Sequence, residues 1–141
     1  MQEHIQNELA SFIANCDWEK IAPHFKEDAA YRVLDWIGCA VAGEHYPQVE
    51  IAQKYFIENG DQGNSTVIGH QTKCSPRTAA FLNGIAGHVC ELDDGHRTAI
   101  GHPGSIAVPT ALALGEHLNA SGADVLKAVI LGYEVFSRLG R

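Results

Sequence analysis

The sequence predicts an all-α protein of six helices and at most one short strand. Three observations carry this. Apolar residues recur at helical spacing along most of the chain, with little strict alternation. Start and stop residues stand where the periodic stretches begin and end: Ser75-Pro76, Gly43 and Asn59-Gly60. The one β-like run is Thr66-Val67-Ile68. Short connections between the helices imply antiparallel packing.

Taken in order, residues 4–15 read as an amphipathic helix with Ile5, Leu9, Phe12 and Ile13 on one side. After a break at Asp17 and Pro23, residues 24–42 form a longer helix. Phe25, Ala29, Val33, Ile37 and Val41 are its expected core stripe. Residues 48–58 suggest a third helix. The polar, turn-rich stretch from Gly60 to Ser75 reads as a long connection. Ser75 supplies a capping hydroxyl and Pro76 a preformed first residue for a helix expected to run to about Leu92, apolar nearly all round and therefore buried. A loop, 93–104, separates it from two further apolar helices, 105–118 and 122–139.

With 141 residues the chain suits a single domain, 1–141. Hydrophobic residues at 45% and charged residues at 19% are an ordinary globular balance. A net charge of −7 argues against nucleic acid, whose phosphates need clustered Lys and Arg. Cys16, Cys39, Cys74 and Cys90 form no Cys-x-x-Cys pair and read as reduced thiols, with Cys16, Cys39 and Cys90 on apolar helices. The polar start lacks the pattern of a signal peptide, and no apolar run reaches membrane-spanning length. These features predict a cytoplasmic protein without a membrane partner.

The segment from His88 to His102 carries the chemistry. It holds three histidines, three carboxylates and an arginine within fifteen residues, between two very apolar helices. Ionisable groups on a buried scaffold are where altered proton affinity is expected. His88 and Glu91 share a helix face by their spacing, and Asp93 and Asp94 are expected at the helix end. His96, Arg97 and His102 fall on the loop, and Gly101 and Gly104 suggest close backbone approach. On the residues alone an ordinary turn remains open, since Asp-Asp-Gly and His-Pro are common in loops. A divalent-metal site drawn from His88, Glu91, Asp93, Asp94, His96 and His102 also remains open, although the spacing matches no standard metal motif.

Residues 76–94, with Leu82-Asn83-Gly84 leading through His88 into Glu91-Leu92-Asp93-Asp94, resemble the MmgE/PrpD family pattern. So do His102-Pro103, the Val108–Glu116 stretch, Leu131–Val135 with Arg138-Leu139-Gly140, and Leu34–Ala40. Together they cover about residues 25–141. The resemblance implies a helical domain of an enzyme that moves a proton or carboxylate beside a carboxylate-bearing carbon. The family includes 2-methylcitrate dehydratase, cis-aconitate decarboxylase and iminodisuccinate epimerase, and works without metal or organic cofactor.

By position, the resemblance implies that His102 and Asp93 are catalytic and that Glu91, Asp94 and Ser105 contact a small polycarboxylate; His96 and Arg97 fall where the family varies and are expected as further ligand contacts. Arg97 can clamp a carboxylate or simply face solvent, and His88 is expected as a hydrogen-bonded core histidine. Glu91 stands where the family has Asp, and Gly104 where it has Ser, with Ser105 one place later. Family members are much longer and add further helices, a lid domain and more histidines and lysines. The expectation is therefore an N-terminal portion that is incomplete and inactive alone, that forms a homodimer and that has a separately encoded C-terminal part as a candidate partner. The competing expectation is a non-catalytic helical dimerisation module.

Overall fold

A computed structural model describes residues 2–140. Among the described residues there are six α-helices: α1 Gln2–Ala14, α2 Pro23–Gly43, α3 Pro47–Glu58, α4 Pro76–His88, α5 Gly104–Leu118 and α6 Gly122–Leu139. A single 3-10 turn, Trp18–Lys20, occupies the break between α1 and α2. Two dipeptide strands, β1 Ser65–Thr66 and β2 Lys73–Cys74, pair antiparallel within the long connection. The all-α class is as the periodicity predicts.

The central element is α4, which packs on α2, α3 and α5, while α6 closes against α5 and α2. Its start follows from Ser75, whose hydroxyl accepts the Thr78 N–H at 3.4 Å, with proline at the first turn. Asp61 holds that cap by accepting from the Ser75 N–H at 3.1 Å and hydroxyl at 3.0 Å. α6 starts the same way, with Ser121 accepting from the Asp124 N–H at 3.2 Å. α5 ends on Asn119, which takes the left-handed conformation that stops helices.

Trp36, Ala40, Val49, Ala86, Val108, Ala111 and Val129 form the main core, drawing on five helices. A second cluster, Val67, Cys74, Ala79, Leu82 and Ala113, buries the β1–β2 connection against α4 and α5. Asn83 fastens the connection there. Its side chain accepts from the Ile68 N–H at 2.8 Å and donates to the Thr66 carbonyl at 2.9 Å, standing in for a third strand. The Glu116 carboxylate accepts from the Thr66 N–H at 2.6 Å and from Lys73.

Several details differ from the sequence expectation. The strand spans Ser65–Thr66, starting one residue before the β-branched run and keeping only its first residue, because Val67 and Ile68 turn inward to the two cores. The α2 stripe is rotated: Phe25 and Val41 are exposed, and Trp36 and Cys39 are buried in their place. On α1, Ile5, Phe12 and Ile13 are exposed. Cys16 and Cys90 lie outside helices, and only Cys39 is a helical thiol of the three expected; all four cysteines are free. The largest difference is that α4 stops at His88, since Glu91 takes a left-handed φ of 53° that no helix continues through.

α2 and α4 touch at two glycines. A Cβ on Gly43 would strike the Ala86 carbonyl, and one on Gly87 would strike the Trp36 indole. Gly87→Ala therefore lowers the urea midpoint, by overpacking worth about 1–3 kcal/mol. Gly38→Ala, on the same α2 but with nothing within 4 Å, raises it, through a gain in stability of about 0.5–1 kcal/mol. Equal responses of the two variants in urea unfolding would contradict this packing.

Candidate functional site

The early end of α4 builds the site. Beyond His88 the chain turns back through the left-handed Glu91, so Glu91 leaves the helix and Asp93 and Asp94 lie past it rather than at its last turn. Asp93 then reaches back under the helix end. Its side chain is 1% exposed. A carboxylate so deeply buried needs donors around it. His88 Nδ1 lies 3.0 and 3.1 Å from the two Asp93 oxygens, and the Ser105 hydroxyl donates to Oδ2 at 2.6 Å. The Trp36 indole N–H in turn donates to Ser105 Oγ at 3.3 Å. A chain of polar contacts thus runs from the core of α2 through α5 to the histidines.

His102 Nδ1 is 3.4 Å from Asp93 Oδ2, within ion-pair reach but not aligned for a hydrogen bond, so this buried nitrogen is left without a hydrogen-bond partner. The His88 and His102 rings stand edge to face, centroids 4.6 Å apart. Both line a groove of about 650 Å³ between α4 and α5, walled by Phe81, Ile85, Val89 and Ile106 and floored in part by Ser105. The sequence expectation of a core histidine at 88 needs correction: its side chain is 43% exposed, because α4 ends there and leaves one edge of the ring open.

The neighbouring Asp94 faces the other way. Its Oδ1 accepts the Gly104 N–H at 2.9 Å, the first N–H of α5, where a negative charge meets the positive end of the helix dipole. Its Oδ2 pairs with Arg32 Nη1 at 3.3 Å, and Arg32 also holds Asp28 at 2.7 Å and stacks on the Tyr133 ring. Burial, reinforced by Asp94, pushes the Tyr133 phenol far above its ordinary value of 10.0, with Arg32 opposing. A Cβ on Gly104 would come within 2.6 Å of Asp94 Oδ1 and 2.8 Å of the Tyr133 hydroxyl, which explains why glycine follows His102-Pro103.

His96 closes the loop. Its N–H donates to the Gly101 carbonyl at 2.8 Å, and its Nδ1 accepts from the Ala99 N–H at 3.0 Å. It lines a separate cleft of about 380 Å³ between α2 and α6 with Asp28, Arg32, Asp94 and Tyr133. Arg97 is exposed and joins no ion pair among the described residues. Glu91 is exposed, 3.9 Å from His88 Nε2.

The structure thus gathers Asp93, His102 and Ser105 with His88, and sends Asp94 and His96 to the opposite cleft. Trp36, Arg32 and Tyr133 were not foreseen as site residues. An indole buried in a helix stripe, needing a partner for its N–H, was the one available signal.

His88, Asp93 and His102 place one donor atom each within 4.8 Å of one another, a set that suits a divalent cation in number and type. Glu91 and His96 do not complete that set. Both Asp93 oxygens are already engaged by His88 and Ser105, which favours proton exchange over coordination. No described helix is long and apolar enough to cross a membrane.

The family model of the MmgE/PrpD N-terminal domain matches residues 7–141. A cis-aconitate decarboxylase-like protein of Aspergillus oryzae is 31% identical over 97% of this chain and 30% of its own length. A cis-aconitate decarboxylase of Aspergillus terreus is 32% identical over 97% of this chain and 29% of its own length. The human cis-aconitate decarboxylase is 35% identical over 76% of this chain and 23% of its own length. The chain therefore spans less than a third of the length of these relatives.

The raised Tyr133 sets a pH dependence. The folded state holds the phenol protonated where the unfolded chain ionises it near 10.0, so its stabilisation is complete below that pH and is lost as pH rises past it. Alkaline unfolding followed by circular dichroism should be steeper for the wild type than for Tyr133→Phe. Identical slopes would show that the phenol is not held by Asp94 and burial.

Proposed function

The chain belongs to the MmgE/PrpD family, and on that premise we propose that it forms the proton-transferring part of an enzyme acting on a small polycarboxylic acid. The observation that carries the reading is the buried Asp93 carboxylate beside two imidazoles at the edge of an apolar groove. Removing a proton beside a carboxylate needs a base with a free lone pair, a group to orient it and low local polarity.

His102 is that base. Its Nδ1 faces Asp93, which leaves Nε2 for the ligand. Asp93 orients the ring and balances the imidazolium that forms. Ser105, assigned on resemblance to ligand contact, acts here by holding Asp93. The cis-aconitate decarboxylases among the relatives make cis-aconitate the first acid to test. Among the described residues no Lys or Arg lines the groove. The cations that grip the ligand's carboxylates then come from Arg97 on the adjoining loop or from another polypeptide, a second copy or a longer partner.

Incubating the full chain with cis-aconitate in D2O and following the ligand by NMR tests this. Deuterium entry at a carbon next to a carboxylate is expected, together with a fall of about 100-fold or more in His102→Gln. Unchanged exchange in that variant would remove His102 from the reaction.

A second reading, self-association, is favoured by one observation: Ile5, Phe12 and Ile13 leave much of their apolar side chains exposed on α1. Light scattering on a sizing column should show a mass above that of one chain. A clean monomer at high concentration, unchanged by Phe12→Ser, would rule this reading out.

A further inference from the structure

We propose that His88 is a second proton-transfer group of this site, paired with His102 through the Asp93 carboxylate. This rests on the proton-transfer reading above and deepens it. Four observations support the pairing. His88 and His102 both direct Nδ1 to the same carboxylate, at 3.0 and 3.4 Å. Their rings are 4.6 Å apart and line one groove. Both side chains are partly open, 43% and 38% exposed, while the carboxylate between them is 1% exposed. The charged groups facing His88 are Asp93 and, at 3.9 Å, Glu91; the other elements bordering it in the groove offer only the neutral Gln48, Ser105 and Thr110.

Anchoring Nδ1 inward leaves Nε2 of each ring as the nitrogen that meets a ligand. One buried negative charge balances one imidazolium, not two. The pair therefore starts with one ring protonated and the other neutral. The neutral His102 takes a proton from the ligand carbon beside its carboxylate, and the C–H electron pair passes into that carboxylate's π-system. The protonated His88 then delivers its Nε2 proton to the ligand atom on which that pair settles, so the ligand's proton count is unchanged. His102 ends as imidazolium and His88 as neutral imidazole, with the charge on Asp93 balanced throughout. A one-histidine site has to wait for solvent to supply the second proton, whereas a second imidazole on the same carboxylate holds that proton ready within the site.

The ligand class is a di- or tricarboxylate with an exchangeable C–H next to, or conjugated with, a carboxylate. Its reacting carbon lies between the two Nε2 atoms. Asp93 touches neither carbon nor leaving group, and is a positioning residue with Ser105 and Trp36 behind it.

Histidine-¹⁵N labelling of the full chain, read by long-range ¹H–¹⁵N spectra, tests the pairing without requiring turnover. In their neutral forms both rings are expected to carry the proton on Nδ1, and Asp93→Asn should change the ring signals of both. Added cis-aconitate should shift the Nε2 signals of both rings. His88→Asn keeps an N–H facing Asp93 but has no second nitrogen. It should leave the fold and the Trp36 indole N–H signal in place while abolishing conversion, with ligand C–H exchange by His102 retained. A His88 proton on Nε2, a His102 signal indifferent to Asp93→Asn, or a ligand shift confined to His102 would each overturn the pair. Intact pairing with no exchange at any ligand carbon would instead overturn the proton-transfer reading of the previous subsection.

Discussion

A carboxylate buried to 1% exposure is tolerated only where donors surround it, and the arrangement of this molecule follows from supplying them to Asp93. α4 must end at His88 so that the chain can fold back beneath it. α5 must begin close enough for Ser105 to reach Oδ2. Trp36 of α2 must lie against both helices so that its indole N–H can finish the chain of contacts. The close approach that allows this depends on Gly87, where any side chain would displace the indole. Core packing and site geometry are therefore one constraint expressed at two places.

The adjacent carboxylate shows how different the outcome is one residue along. Asp94 is spent on structure: it caps α5, pairs with Arg32 of α2 and borders the Tyr133 phenol of α6. Three helices are tied at that point, and the loop bearing His102 is suspended between the two aspartates. His96 then rigidifies the loop from within by accepting from Ala99 and donating to Gly101. The preorganisation that proton transfer needs is thus supplied by residues that never meet a ligand.

Much of this was legible in the chain. Period and capping residues fixed most of the helices, because a start such as Ser75-Pro76 acts through local geometry that a sequence displays directly. The dense segment from His88 to His102 marked the site. What could not be read was direction. Spacing put His88 and Glu91 on one helical face, but a helix ending at His88 has no such face at Glu91, and nothing local to Glu91 forecasts a left-handed residue. The partners of Asp94 come from sequence positions 62 residues away for Arg32, a long-range pairing with no periodic signature. The rotated stripe of α2 has a similar cause: Trp36 outcompetes Phe25 and Val41 for the interior because α4 offers a glycine to receive it.

Two residues with side chains, Glu91 at φ 53° and Ile100 at φ 49°, bracket the loop in a conformation costing about 1–2 kcal/mol each. The two left-handed turns set the phase of the segment between them, in which consecutive aspartates point to opposite sides. Such a loop is tolerant in spelling and intolerant in length. Exchanging exposed letters such as Arg97 or Thr98 leaves the phase alone. Deleting a single residue ahead of Asp93 would move Asp94 into the place of Asp93 beside the histidines and put Gly95 where Asp94 caps α5, so that helix would lose its carboxylate.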